Sequence, residues 1–226
     1  MEHHIRADGS SFHVCDYSAT TGEVYLCRTA QGLADDSTWA RGQAWGIYGF
    51  AEFYSLTGDP KYLETSKRMA DWFIEHLPDD GLPFWDFDAE YLPNVTPRDS
   101  SAATVAASGM ILLQEQLNKG KGNGRGRQRH RKNQKYLKAA KRLLEASVKL
   151  SLAGEISFAE SSPLGAETYI DTPANTDVSK GFESILMHAT SNNNPEANPK
   201  NFDSGLSYGD FYLVEAGNRL LECKTW

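Results

Sequence analysis

A pair of unlike helices that occurs twice constrains the fold of this chain more than any other feature. From Ser37 onward, Trp39, Trp45, Ile47, Tyr48, Phe50, Ala51 and Tyr54 recur at three- and four-residue spacings, the pattern of a helix buried on most sides. Thr57-Gly58-Asp59-Pro60 stops that helix. Asp59 as cap and Pro60 in the first turn open a second one, over about residues 61–76, with Tyr62, Leu63, Met69, Trp72 and Phe73 on its apolar side. The pair then returns. Asp36-Ser37 is echoed by Asp99-Ser100 before an apolar helix over 102–117, and Lys61-Tyr62-Leu63 with Lys67-Arg68 by Lys135-Tyr136-Leu137 with Lys141-Arg142. A buried helix followed by an amphipathic one cannot bury its apolar face alone, so repetition of the unit marks a helical-repeat architecture. A short helix is predicted around 181–188 and a final one over 207–222. Asp8-Gly9 and Thr21-Gly22 mark turns in the first 38 residues, which read as loop and short strand. The total is five or six helices and no convincing sheet.

The second copy is longer than the first by about eleven residues between its Asp-Ser and Lys-Tyr-Leu marks. Residues 119–131 supply the surplus and read as a basic, solvated loop insertion in a single domain spanning 1–226. The stretch 119–135 holds eight of the 23 Lys and Arg residues and no acid, while the whole chain has a net charge of −7. Everything outside that stretch is therefore strongly acidic, and the stretch itself has no aromatic on which a base could stack. No nucleic-acid partner is expected. A chain of 226 residues with 11% aromatics can bury a sizeable core. No stretch approaches the roughly 20 apolar residues of a membrane span, and Met1–Arg6 lacks the apolar core of a secretory signal, which favours a cytoplasmic setting. Cys15, Cys27 and Cys223 read as ordinary thiols, and nothing in the sequence supports a Cys15–Cys27 disulfide. His3, His4, His13, His76, His130 and His188 show no ligand spacing beyond the adjacent first pair, so neither metal nor cofactor is expected.

Chemistry concentrates in Asp36-Ser37-Thr38-Trp39-Ala40-Arg41-Gly42-Gln43-Ala44-Trp45. Indoles stack on sugar rings, and a guanidinium grips a carboxylate through two parallel hydrogen bonds. A helix N-terminus adds partial positive charge. Together these suit an acidic sugar. The plainer alternative makes the tryptophans core and pairs Arg41 with an acid such as Asp36.

The same cluster, extended to Asp35 and to Gly46-Ile47-Tyr48-Gly49-Phe50, resembles the signature of unsaturated glucuronyl hydrolases, glycoside hydrolase family 88. The resemblance runs upstream through Arg6-Ala7-Asp8-Gly9-Ser10-Ser11-Phe12-His13 and Gln31-Gly32. Downstream it takes in Phe84-Trp85-Asp86-Phe87-Asp88, Pro97-Arg98-Asp99-Ser100-Ser101-Ala102-Ala103 and Tyr208-Gly209-Asp210-Phe211-Tyr212. It implies an all-α (α/α)6 barrel of six inner and six outer helices, of which this chain would be about the C-terminal half. It also implies that His13, Gln31, Trp39, Arg41 and Trp45 line a pocket for an unsaturated uronic acid. His188 is similar to a further pocket histidine, although Met187-His188-Ala189-Thr190 departs from the His-Lys-Pro expected there.

Most glycosidases place two carboxylates about the glycosidic bond. Enzymes of the resembled family instead protonate the C4=C5 double bond of the terminal sugar. Water adds at C5, and the hemiketal collapses to release the next sugar. One carboxyl group must serve as acid and then base. The family's aspartates for that step map upstream of Met1. None of Asp16, Asp35, Asp36, Asp86 or Asp99 matches them, and Asp35, Asp36 and Asp99 read as helix-cap residues. The expected activity is release of 4,5-unsaturated uronic acid from lyase-generated oligosaccharides, with this chain lacking the acid. An isolated half-barrel is expected to fold poorly, aggregate, or pair with a complementary N-terminal half. Two other readings compete. Unsaturated rhamnogalacturonyl hydrolases of family 105 share the chemistry but tend to Gly-Arg-Gly-Asn-Gly-Trp where this chain has Ala40-Arg41-Gly42-Gln43-Ala44-Trp45. A non-catalytic sugar-binding remnant would bind without turnover. A purely structural helical scaffold leaves the grouping of Trp39, Arg41 and Trp45 unexplained.

Overall fold

In a computed structural model of the protein, residues 1–119, 134–154 and 182–223 are described. They form a short hairpin, β1 (Val14–Tyr17) and β2 (Val24–Arg28), and five helices. The helices are α1 (Ala40–Thr57), α2 (Pro60–Glu75), α3 (Ser100–Lys119), α4 (Lys135–Ser151) and α5 (Ser207–Cys223). The basic insertion predicted at 119–131 lies, apart from Lys119, outside the described residues.

The helices follow the sequence closely. Asp59 caps α2 by accepting from the Lys61 amide at 3.1 Å, with Pro60 in the first turn. Gly58 ends α1 in the left-handed conformation. The amphipathic α2 and α4 bury one face each, whereas α3 is buried on all sides from Ser100 to Gln114. α3 packs against α1, α4 and α5, and α2 packs on α1 and also touches α3. Small residues on α3 allow these close approaches. A Cβ placed on Gly109 would stand 2.8 Å from the backbone N and Cα of Tyr48, so α1 and α3 touch there main chain to main chain. Gly9 (φ 101°) makes the turn that lays the N-terminal segment on α2, and a Cβ there would meet the Arg68 carbonyl oxygen at 2.6 Å.

Three sequence expectations are corrected. A sheet does exist, as an antiparallel pair with Cys15 opposite Cys27. Its side chains Tyr17, Tyr25 and Leu26 are exposed, so no alternation of apolar and polar residues announced it. The helix expected around 181–188 is absent over 182–188, because its amides are taken by distant acceptors. Ile185 and Leu186 donate to the Asp210 carboxylate, each at 2.9 Å, and Met187 donates to Ser151 O at 2.7 Å. Asp35 and Asp36 do not cap α1. Trp39 occupies the cap position without a side-chain bond. The segment 84–88 closes that helix end from outside: Ala40 N donates to Trp85 O, Phe87 N to Thr38 O, and Thr38 N to Asp88 Oδ2.

Gly109→Ala is expected to cost about 2 kcal/mol through overpacking. Gly49, mid-helix with nothing near its Cβ position, should gain about 0.5–1 kcal/mol as Gly49→Ala. Urea denaturation of the two variants checks both signs.

Candidate functional site

The N-terminal ends of α1, α3 and α5 meet, and the segment after β2 and the strand-like stretch 189–191 close over them. Arg41, in the first turn of α1, is at the centre. Its guanidinium is almost wholly buried and paired with Asp99, which has no exposure at all. Nη1 donates to Asp99 Oδ2 at 2.9 Å, Ser101 Oγ at 3.2 Å and Thr190 O at 2.5 Å, and Nη2 to Ser191 O at 3.0 Å. Asp99 Oδ1 also caps α3, accepting from the amides of Ser101 and Ala102. Burial pushes the Asp99 carboxyl upward, and Arg41 with these donors pulls it back.

Aromatic groups pack around this pair. The Arg41 guanidinium lies 4.5 Å from the Trp39 ring centre and 5.2 Å from that of Tyr208. The His13 ring stacks on Trp39 at 4.3 Å and 30°. His13 Nδ1 accepts from the Ala30 amide at 3.2 Å and the Gln31 amide at 3.4 Å, with Thr29 Oγ1 at 3.0 Å. An accepting Nδ1 places the ring proton on Nε2, as inferred from this network. Burial, helped by the charges of Arg41 and Arg28, lowers His13 from 6.5 to about 4, so the ring is neutral near pH 7. Gln31 Nε2 donates to Ser191 O at 2.7 Å.

The structure therefore gathers His13, Gln31, Trp39 and Arg41 into one constellation. Trp45 joins it one turn along α1, against Tyr208 at 6.3 Å and Tyr212 at 5.2 Å. The His188 side chain has a different partner. Its Nδ1 bonds Asp203 Oδ1 at 2.5 Å, its φ is 61°, and its carbonyl accepts from Ser100 N at the start of α3. Two roles read from the sequence change. Trp39 is only 6% exposed, so it offers no open ring face to a sugar; Trp45, at 36%, does. Arg41 pairs with Asp99 rather than Asp36, and it can reach a ligand carboxylate only by exchanging the carbonyls of Thr190 and Ser191 for it. Trp39 Nε1 is buried with no hydrogen-bond partner among the described residues, leaving a donor at the centre of the cluster.

Tyr208 and Asp99 escaped the sequence reading as site residues. Both lie in motifs that carry the family resemblance, Asp99 also reading as a helix cap, but neither is marked by its sequence neighbours as a partner of Arg41. Beside the cluster a cleft of about 520 Å³ opens between residues 29–35 and 192–197, lined among others by Thr29, Asp35, Asn192, Asn194 and Glu196. Asn194 Nδ2 donates to Gly32 O at 2.9 Å and ties its two walls together. Asp86 is fully buried under this wall, where it accepts from Leu33 N and Ser37 Oγ.

No protein-family model matches the chain. An unsaturated glucuronyl hydrolase of Formosa agariphila is 35% identical over 225 residues, covering 97% of this chain and 45% of that protein. The crystal structure of the unsaturated glucuronyl hydrolase from Bacillus sp. GL1, described as responsible for degradation of glycosaminoglycan, superposes with a TM-score of 0.71 at 30% identity. It matches 97% of this chain and 48% of its own. A variant of the enzyme from Streptococcus agalactiae complexed with dGlcA-GalNAc6S superposes at 0.66 and 27% identity, over 96% and 48%. The fold is thus all-α, of the (α/α)6-barrel class. Within that class the chain's homologues and structural neighbours are unsaturated glucuronyl hydrolases, glycoside hydrolase family 88. It spans about half the length of the relatives it matches.

Asp99→Ala would leave Arg41 charged and unpaired in the interior, and should lower stability by about 3–5 kcal/mol in urea denaturation. The His13 shift gives a second expectation. Because the folded value lies below the free one, the unfolded chain takes up the proton first. Stability from this group is complete above pH 6.5 and is lost as the pH falls toward 4. Melting temperatures measured over that window should slope less for His13→Gln than for the natural chain.

Proposed function

We propose that this chain carries the uronic-acid-binding part of an unsaturated glucuronyl hydrolase, acting on 4,5-unsaturated oligosaccharides of the kind polysaccharide lyases release. The observation that carries the reading is the joined cluster of neutral His13, Trp39, Gln31 and buried Arg41. Nε2–H of His13 is a donor to a sugar carboxylate or hydroxyl, and the exposed ring of Trp45 is a stacking face. The N-terminal end of α1 adds partial positive charge beside the cluster, while Arg41 is held by Asp99 and braces the wall at Thr190 and Ser191. The adjacent cleft, with Asn192, Asn194, Asp35 and Glu196, suits the hydroxyl and amide groups of the next sugar.

In this proposal the described residues bind and orient, and proton transfer to the C4=C5 bond belongs to a carboxyl outside them. Asp86 and Asp99, the acids buried against the cluster, have no exposure and spend their oxygens on internal donors. A complementary set of helices closing the barrel would cover Phe53 and Leu56 of α1 and Phe211, Val214 and Leu221 of α5, all of which are exposed.

The test is titration calorimetry of the purified chain with an unsaturated uronyl disaccharide, alongside the ultraviolet absorbance of its conjugated C4=C5 bond. Binding is expected without loss of that absorbance, and Trp45→Ala should weaken it about tenfold or more, the loss of one aromatic contact of about 1.5 kcal/mol. A sulfate on the second sugar should weaken binding a further few-fold by repulsion from Asp35 and Glu196, at about 0.2–1 kcal/mol per exposed charge pair. Absence of binding, with the helical content intact, would overturn the reading.

A further inference from the structure

Cys15 and Cys27 stand directly opposite each other across the β1–β2 hairpin. Both are free thiols, with their Sγ atoms 2.9 Å apart. The Cys15 amide points away from β2 and donates to His4 Nε2 at 3.2 Å, so the two cysteines form a non-hydrogen-bonded pair of the antiparallel ladder. Such pairs bring opposed Cα atoms to about 4.5 Å, inside the window of about 4.4–6.8 Å that a disulfide spans. The ends of the hairpin are also the beginning of the candidate site. His13 immediately precedes β1, and Thr29, which faces His13 Nδ1, immediately follows β2. A two-stranded ribbon with exposed Tyr17, Tyr25 and Leu26 has little packing of its own to hold it.

We propose that Cys15 and Cys27 are a modification site: a dithiol that closes reversibly into a cross-strand disulfide and fixes the hairpin whose two ends carry His13 and Thr29. The oxidant is a small-molecule or protein disulfide of the glutathione class. Cys27, the half-exposed member, attacks the external disulfide as thiolate and releases one thiol, leaving a mixed disulfide. Cys15 then yields its proton to solvent and attacks Cys27 Sγ, and the second external thiol leaves. Two protein thiols are oxidised and one external disulfide is reduced to two thiols. Burial and the neighbouring Cys27 push the Cys15 thiol up to about 12, which keeps it from starting the exchange and makes closure the slower step. The proposal concerns the hairpin alone and stands whether or not the site binds a sugar.

The full chain, equilibrated in glutathione buffers from fully reduced to fully oxidised, is quenched in acid, alkylated, and digested without reduction. Under oxidising conditions the expected product links the Cys15 and Cys27 peptides and leaves Cys223 alkylated. Amide exchange over 14–17 and 24–28 should then slow by on the order of a hundredfold, as expected for a cross-link that restricts local opening. Cys15→Ser should trap Cys27 as a stable mixed disulfide with glutathione, and Cys27→Ser should leave Cys15 unmodified. Separate alkylation of Cys15 and Cys27 in oxidised glutathione, or a bond from either to Cys223, would overturn the proposal. So would a mixed disulfide on Cys15 in the Cys27→Ser chain.

Discussion

The ion pair between Arg41 and Asp99 is the contact on which this arrangement depends. Both side chains are out of water, and together they join the first turn of α1, the cap of α3 and the carbonyls of Thr190 and Ser191. A buried pair of this kind contributes little net stability, because desolvation offsets most of its attraction. What it does is exclude alternatives. Any slip of α1 along α3, or any departure of 190–191 from the helix ends, would leave a charge or a carbonyl buried without a partner. Gly109 sets the same register from the middle of α3, where it lets the backbone of Tyr48 approach.

Three inner helices start at one end of the molecule, and that end gathers anionic and hydrogen-bonding groups. Asp99 caps α3, while Asp210, in the first turn of α5, holds the amides of Ile185 and Leu186. The N-terminal dipoles favour negative charge there. Loops rather than helices then shape the surface around it. The segment 84–88 closes α1, the stretch after β2 brings His13, Thr29 and Gln31 together, and 192–197 forms the far wall of the cleft. The division of labour is the usual one, with helices supplying a rigid base and irregular segments carrying the adaptable polar groups.

This division also separates the elements that the sequence announces from those it does not. The helices were legible to within a residue or two, because each carries a local signal: Asp59-Pro60 for α2, the small and apolar residues that dominate α3, and for α4 the echo of the α2 motif in Lys135-Tyr136-Leu137. The hairpin was not legible as a sheet, since Tyr17, Tyr25 and Leu26 are all exposed and no apolar-polar alternation marks its strands. The stretch 182–188 looked helical by composition, but its amides answer to Asp210 and Ser151, which lie far away in sequence. Asp35 and Asp36 looked like caps by position, yet Asp35 accepts from Thr29 N and Asp36 lends its carbonyl to Arg6.

For the site, the sequence by itself determined the residue types and their neighbourhood. Trp39, Arg41 and Trp45 share a helix start, so local geometry holds them within a turn or two of each other whatever the rest of the chain does. Membership of His13 and Gln31 followed only from family resemblance, and the stacking of His13 on Trp39 was decided by tertiary structure. So were the choice of Asp99 as the partner of Arg41, the burial that keeps His13 neutral, and the pairing of the His188 ring with Asp203. The physical reason is that charge pairing, desolvation and ring stacking are set by what lies within a few ångströms in space, and chain order controls that distance only inside a single helix.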